Sequence, residues 1–249
     1  MPSLQEWQNA LDLQRKVIVD SRDQLAQAVN LRPQSRSFDG SPKNAQGLSQ
    51  FSPAREILVR PAELLHFLGR ITTPRSDNLA DLCSTWARIR YLWAFDPNPT
   101  TEYLRITDTA LDIDSHQKAV LSDEIGIGLA GLVVDRYFQG QNPVDVDVAV
   151  RSQNIPGLRY RYRTSPDYLF QTPNGGYVVV ECKGTQSGYN TLLGQLKRGT
   201  EQVCSLEIPN NPDVLTIVIG TLLSSSNTNV YLTDFGVRST LLTGHLKVW

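Results

Sequence analysis

Ser165-Pro166-Asp167-Tyr168-Leu169-Phe170-Gln171-Thr172-Pro173-Asn174-Gly175-Gly176-Tyr177-Val178-Val179-Val180-Glu181-Cys182-Lys183-Gly184 is the most informative run in the chain. Asn174-Gly175-Gly176 is a turn signal between two β-prone runs, so the segment predicts a hairpin. Side chains on a strand alternate faces, which sets Glu181 and Lys183 on one side and Val178, Val180 and Cys182 on the other. A carboxylate beside an ammonium at the end of an apolar strand is locally costly unless something uses both. The turn brings the preceding strand back alongside. Asp167 then lies near Glu181 if the hairpin bulges or splays, and Pro166, which cannot donate to a ladder, marks the place for such an irregularity.

Two hard carboxylates and the Cys182 backbone carbonyl would line a site suited to Mg²⁺ or Mn²⁺. Lys183 beside such an ion would stabilise an attacking hydroxide and the charge building on a phosphate. These are parts for hydrolysing phosphodiesters. Cys182, on the opposite face from Glu181, reads as a buried core thiol.

Outward from the hairpin, Ser115 to Phe138 predicts a long helix with Ser115 as its N-cap. Val144 to Val150 alternates Val and Asp as a strand does, with Asp145 and Asp147 on a solvated face. Leu158 to Phe170 and Tyr177 to Lys183 predict two more strands, and Tyr189 to Leu206 a helix. Asp213 to Leu223, nearly all β-branched or apolar, suits a strand covered on both faces. The expected class is α/β, a mixed sheet flanked by helices.

Pro166-Asp167, thirteen intervening residues and Glu181-Cys182-Lys183 resemble the PD-(D/E)XK motif of the restriction-endonuclease-like nuclease superfamily. The resemblance covers roughly 115–223 and implies an α-β-β-β-α-β core. It implies Asp167 and Glu181 as metal ligands and Lys183 as the catalytic lysine. Members often add an acidic residue from the preceding helix. Leu121, Ile125, Leu129 and Leu132 form the buried stripe of that helix. Glu124 falls at its edge beside Gly128 and Gly131, so Glu124 is the expected fourth acid, and Asp123 points away. Glycines in a helix cost about 1 kcal/mol each, which suggests close approach of backbone or substrate on that side. A polar residue on the following helix is matched loosely by Gln195, with Lys197, Arg198 and Gln202 nearby.

Arg159, Arg161 and Arg163 share one face at a period of two, either as a solvated face or as a row of phosphate contacts continued by Lys197 and Arg198. His66, His116 and His245 stand alone, without a Cys or His at ligand spacing. Trp86 and Trp93 read as core.

The first 110 residues carry no motif and predict a helical module, with 111–249 as the nuclease-like domain. Ser3 to Asn30 reads as a polar helix whose thin apolar stripe packs on another element or pairs with a second chain. Residues 32–53, rich in Ser, Pro, Gly and Gln, read as a linker or mobile loop. Pro61 opens a further helix. Asn78 to Trp93 predicts another, with Leu79, Leu82, Cys83, Trp86, Ile89 and Trp93 as its buried face.

The chain has 249 residues, 24 Lys plus Arg and 25 Asp plus Glu, for a net charge of −1. That excludes a polybasic chromatin-type protein but not a local basic groove. No run approaches the roughly 20 apolar residues of a membrane span, and the start lacks the apolar core of a signal peptide. Three widely spaced cysteines make no disulfide framework, so a cytoplasmic, reduced protein is expected. The functional expectation is a Mg²⁺-dependent endonuclease acting on double-stranded DNA in a defence or restriction-type system. The alternatives are a catalytically silent nuclease-like assembly module, or an RNA-processing or junction-resolving nuclease.

Overall fold

The computed structural model describes residues 2–21, 23–30, 46–51, 53–72, 77–160, 163–209 and 214–234. Its elements run α1 Leu4–Asp12, β1 Arg15–Asp20, α2 Asp23–Asn30, β2 Arg55–Val59, α3 Pro61–Ile71, α4 Asp77–Tyr91, α5 Asp108–Leu111 and α6 Ser115–Phe138. There follow β3 Gln141–Asp145, α7 Val146–Ser152, β4 Arg159–Tyr160, β5 Tyr168–Gln171, β6 Tyr177–Thr185, α8 Tyr189–Val203, β7 Leu206–Glu207, β8 Val214–Leu223 and β9 Thr228–Asp234. Seven strands make one mixed sheet in the order β2-β1-β9-β8-β6-β5-β3, and β4 pairs with β7 apart from it.

The hairpin is the one expected. Tyr168 pairs with Val180 and Gln171 with Tyr177, antiparallel, around a turn at 172–176 in which Gly175 takes a positive φ of 82°. β6 runs parallel to β8 through its whole length, the two joined by α8. The pleat then sorts side chains into two cores. Val178, Val180, Cys182, Ile217 and Ile219 enter the cluster with α6, while Val179 and Val218 enter the cluster with Leu192, Leu193, Leu196 and Val203 of α8. Helices therefore cover both faces, which explains the unbroken apolar sequence of β8.

α6 lies close on β6. A Cβ on Gly184 would sit 1.8 Å from the Ser122 carbonyl oxygen. Gly184→Ala should therefore push α6 off the sheet and cost about 3 kcal/mol, a fall of roughly 10 °C in the melting temperature. Gly194, inside α8 with nothing near its missing Cβ, should instead gain up to about 1 kcal/mol on becoming Ala. Thermal melts of the two variants check both signs.

Several elements differ from expectation. Ser3–Asn30 is not one helix: Lys16 to Val19 pair with β2, and Ile18 to Asp20 run parallel to β9. The β-branched Val17-Ile18-Val19 favours a strand, and Val17 and Val19 are fully buried. The N-terminal part is thus not purely helical. Its Val17, Val19, Ile57 and Val59 share one core with Leu129, Val178 and Ile219. Of the expected linker, residues 32–45 and 52 lie outside the described residues. Gln46–Phe51 form a 3₁₀ turn, with Leu48 and Phe51 buried. The helix cap at Ser115 belongs to Asp114, whose carboxylate accepts from the His116 and Gln117 amides.

Val144–Val150 is not a strand. β3 stops at Asp145, which caps α7 by accepting from the Val148 amide at 2.9 Å. Leu158–Phe170 breaks into β4 and β5. α4 turns Ser84, Ala87 and Tyr91 inward, and Gly69 of α3 lies against the Ser84 backbone. Leu79, Leu82, Trp86 and Ile89 face outward, so Trp86 is not core. Trp93, partly buried, does pack on the core. Among the described residues no helix is long and apolar enough to cross a membrane.

Candidate active site

Tyr168 pairs with Val180 at the end of the ladder, which leaves Asp167, the next residue back, beside the Glu181–Cys182 stretch of β6. The ladder stops at that pair and the chain bends at Asp167, yet the two acids stay close enough for the Asp167 charge to act on Glu181. β5 ends here, and the Asp167 carboxylate takes the place of a neighbouring strand: its Oδ2 accepts from the Cys182 amide at 2.8 Å. An extended residue turns its N–H and C=O to the same neighbour, so the Cys182 carbonyl opens on the Asp167 side. The segment before Asp167 is tied to the C-terminal end of α8. Gln202 Nε2 donates to the Ser165 carbonyl at 3.0 Å, and the Ser205 hydroxyl donates to the Thr164 carbonyl.

Lys183, two residues beyond Glu181 on the same face, forms an ion pair through Nζ with Glu181 Oε1. Glu181 is fully buried, and its Oε2 has no hydrogen-bond partner. Gly199 of α8 leaves room for it, since a Cβ there would lie 3.0 Å from Glu181 Cγ. Burial first, and then the Asp167 charge, push the Glu181 carboxyl up to about 8, against the opposing pull of Lys183. Burial also raises Asp167; Lys183 and the Cys182 amide work against it, and Asp123 and Asp145 with it. For Lys183, burial alone would favour loss of the proton, but Glu181 and Asp167 outweigh it and raise the ammonium above its ordinary value. Burial holds the Cys182 thiol neutral.

The acid that α6 adds is Asp123. Burial raises its carboxyl, and the nearby Gly184 amide and the Lys183 charge pull it back. Glu124 is not part of this group: the Tyr91 hydroxyl donates to it, and Arg90 stands 3.3 Å away. The reason lies in the glycines. Gly128 and Gly131 make room for Leu64 and Ile71 of α3, so the row shared by Glu124 faces the helices. Ser122 and Gly126 are the residues against β6. If this group hydrolyses phosphodiesters, Asp123→Asn should slow cleavage about tenfold or more, and Glu124→Gln should leave it within about twofold. Equal effects in a plasmid-nicking assay would contradict this division.

Gln195 reaches the same end of β6, with Nε2 at 3.5 Å from the Gly184 carbonyl and a buried, unpartnered Oε1. Gln186, which the sequence reading missed, has both amide atoms buried without a partner. The basic residues are scattered. Arg159 is paired with Glu207 at 2.9 Å, Arg161 lies outside the described residues, and Arg163 is exposed. Lys197 is buried on α8 and Arg198 is exposed. β4 pairs with β7 outside the main sheet, and its Tyr160 hydroxyl lies 3.0 Å from the Ser165 hydroxyl, two residues before Asp167. A cleft of about 250 Å³ lined by Phe67, Arg70, Asp135 and Phe170 contains none of the four charged groups.

Among the described residues no three His, Cys, Asp or Glu are grouped closely enough to hold a metal ion as they stand. The donor chemistry nonetheless suits a hard divalent cation: all the donors are oxygens, and one buried carboxylate oxygen has no partner. Compared with known proteins, the chain matches no family model, no curated protein and no solved structure.

Proposed function

We propose that the chain is a metal-dependent nuclease hydrolysing phosphodiester bonds, with a core of the restriction-endonuclease-like kind. The observation that supports this reading most is the Asp167 carboxylate held on the amide next to Glu181, with Lys183 paired to Glu181. The succession α6, β3, β5, β6, α8, β8 also follows the expected order, with α7, β4 and β7 inserted. Asp167, Glu181, Asp123 and the Cys182 carbonyl would hold Mg²⁺ or Mn²⁺. Such an ion supplies activation of water and neutralisation of charge on a phosphate.

The residues themselves supply the rest. Lys183 keeps its proton and offers a fixed positive charge where the phosphate gains negative charge in the transition state. The Cys182 amide fixes Asp167 in one orientation. Glu181, protonated more readily than an ordinary carboxyl, gives up that proton to cation binding, so metal affinity should rise with pH toward and past 8.

Duplex DNA in a defence or restriction-type setting is the substrate class this reading favours. One observation favours a second reading, a catalytically silent nuclease-like assembly module: Lys183 already occupies one oxygen of Glu181. The deciding experiment incubates the full chain with linear duplex, circular duplex and single-stranded DNA and with RNA, each with Mg²⁺, Mn²⁺ or EDTA. Cleavage that needs the cation supports the nuclease, and the substrate cut fastest names its class. Intact nucleic acid in every tube supports the silent module.

A further inference from the structure

Asp167 differs from the other charged groups of the site in what holds it. Glu181 and Lys183 lie within β6, paired with Val218 and Gly220 of β8, and Asp123 lies inside the long helix α6. Asp167 stands where the β5 ladder has ended, in the irregular run 163–167, directly after Pro166, which has no N–H to give. Such a run keeps one shape only if other elements supply its hydrogen bonds.

They do so nearly residue by residue. The Thr164 carbonyl accepts from the Ser205 hydroxyl, and the Ser165 carbonyl from Gln202 Nε2 at 3.0 Å. The Ser165 hydroxyl reaches the Pro166 carbonyl at 2.9 Å and the Tyr160 hydroxyl at 3.0 Å. Tyr160 in turn donates to Asp147 of α7. The Asp167 carbonyl accepts at 3.1 Å from the amide of Val146, the first residue of α7, where that N–H has no partner within the helix. The donors are tied to one another as well, since Arg159 and Tyr160 of β4 pair with Glu207 and Leu206 of β7, just beyond Ser205. Thus α7 and β4, inserted between β3 and β5, close with β7 and the end of α8 into a frame around 164–167.

We propose that this frame sets the cation affinity of the site, with Gln202 and Tyr160 as positioning residues for the Asp167 carboxylate. The inference rests on the reading of Asp167 as a cation ligand and adds what keeps it in place. Without the ties the run would have to be ordered at the moment of binding, and the entropy lost would lower the affinity. Groups that orient metal ligands typically change affinity by about 10–100-fold. Gln202 and Tyr160 act two residues before Asp167, on Ser165, so more cation should make good their loss.

The test titrates Mg²⁺ against plasmid cleavage by the full chain and, separately, against its melting temperature. Gln202→Ala should raise the half-saturating Mg²⁺ about tenfold or more, yet cut within about threefold of the wild type at saturation. Tyr160→Phe, which removes one hydroxyl and leaves the exposed Asp147 to water, should melt like the wild type and raise the Mg²⁺ midpoint about threefold. Ser21→Ala removes a comparable bond, to the Leu48 carbonyl at 2.8 Å, beyond a strand that β9 and β8 separate from β6. It should leave the midpoint unchanged. Wild-type midpoints in both Gln202→Ala and Tyr160→Phe overturn the proposal and leave the nuclease reading standing. A raised midpoint in Ser21→Ala overturns it too, because any loosening of the fold would then suffice. So does a Gln202→Ala chain that stays folded but cuts at no Mg²⁺ concentration, since Gln202 would then act in the chemistry itself. A wild type that neither cuts nor gains melting temperature with Mg²⁺ overturns both the proposal and the reading beneath it.

Discussion

Asp167→Ala should remove metal-dependent DNA cleavage by about a thousandfold or more while lowering the melting temperature by only a few degrees. The two effects separate because of what the carboxylate does in the fold. It caps the Cys182 amide with one oxygen, and burial disfavours its charge. Deleting it leaves one amide unpaired, a cost of about 1–3 kcal/mol, and removes an unfavourable charge. Asp167→Asn sharpens the test, because the amide oxygen still accepts from Cys182 while one potential cation ligand is lost. The Asn variant should melt like the wild type and cut no better than the Ala variant. Lys183→Ala should cause a comparable loss. An Asn variant that cuts normally would reduce Asp167 to a structural clamp, and normal cutting by all three would remove the assignment.

Glu181→Gln should abolish cleavage and yet stabilise the cation-free protein at alkaline pH. The folded-state value is about 8, against an ordinary 4.5. Between those values the folded state holds a proton that the unfolded chain has lost, so stability from this group is present below 4.5 and drains away as pH rises through 8. Gln cannot ionise and escapes that loss, while Lys183 keeps the Asp167 charge nearby. Thermal melts in EDTA should therefore coincide for the two proteins near pH 4.5, with the variant several degrees higher at pH 9. Added Mg²⁺ should raise the wild-type melt at pH 9 and leave the variant's unchanged. A wild type that gains nothing from Mg²⁺ would count against cation binding, whatever the cleavage assay shows.

How much of this was legible in the sequence depends on the range of the interactions involved. The hairpin and the Glu181–Lys183 pairing are local, fixed by a Gly-Gly turn and a period of two. β1 was hidden because its partners lie about 40 residues later in β2 and about 210 residues later in β9; six residues with a thin apolar pattern read equally well as helix. Asp145 misled through its second role: its side chain can cap a helix as well as decorate a strand, and capping prevailed. For α6 the period was right and the choice of acid wrong. The helix is buried on two sides, and the sequence does not say which side meets the sheet and which meets α3. The outward face of α4 failed for a related reason. An apolar stripe announces burial, but small residues at Ser84 and Ala87 gave the closer fit against Gly69.

The spacing between the two acids is a hairpin measurement: four paired residues, a turn of five and four paired residues make up the thirteen. The turn tip lies roughly 15 Å along β6 from Glu181, and the missing Cβ of Gly175 points into open space. Equal arms, not loop length, keep the acids in register. The tip can therefore accept a spliced epitope or fluorescent reporter without disturbing the chemistry at the far end, which gives the molecule a built-in handle for tracking it on its substrate.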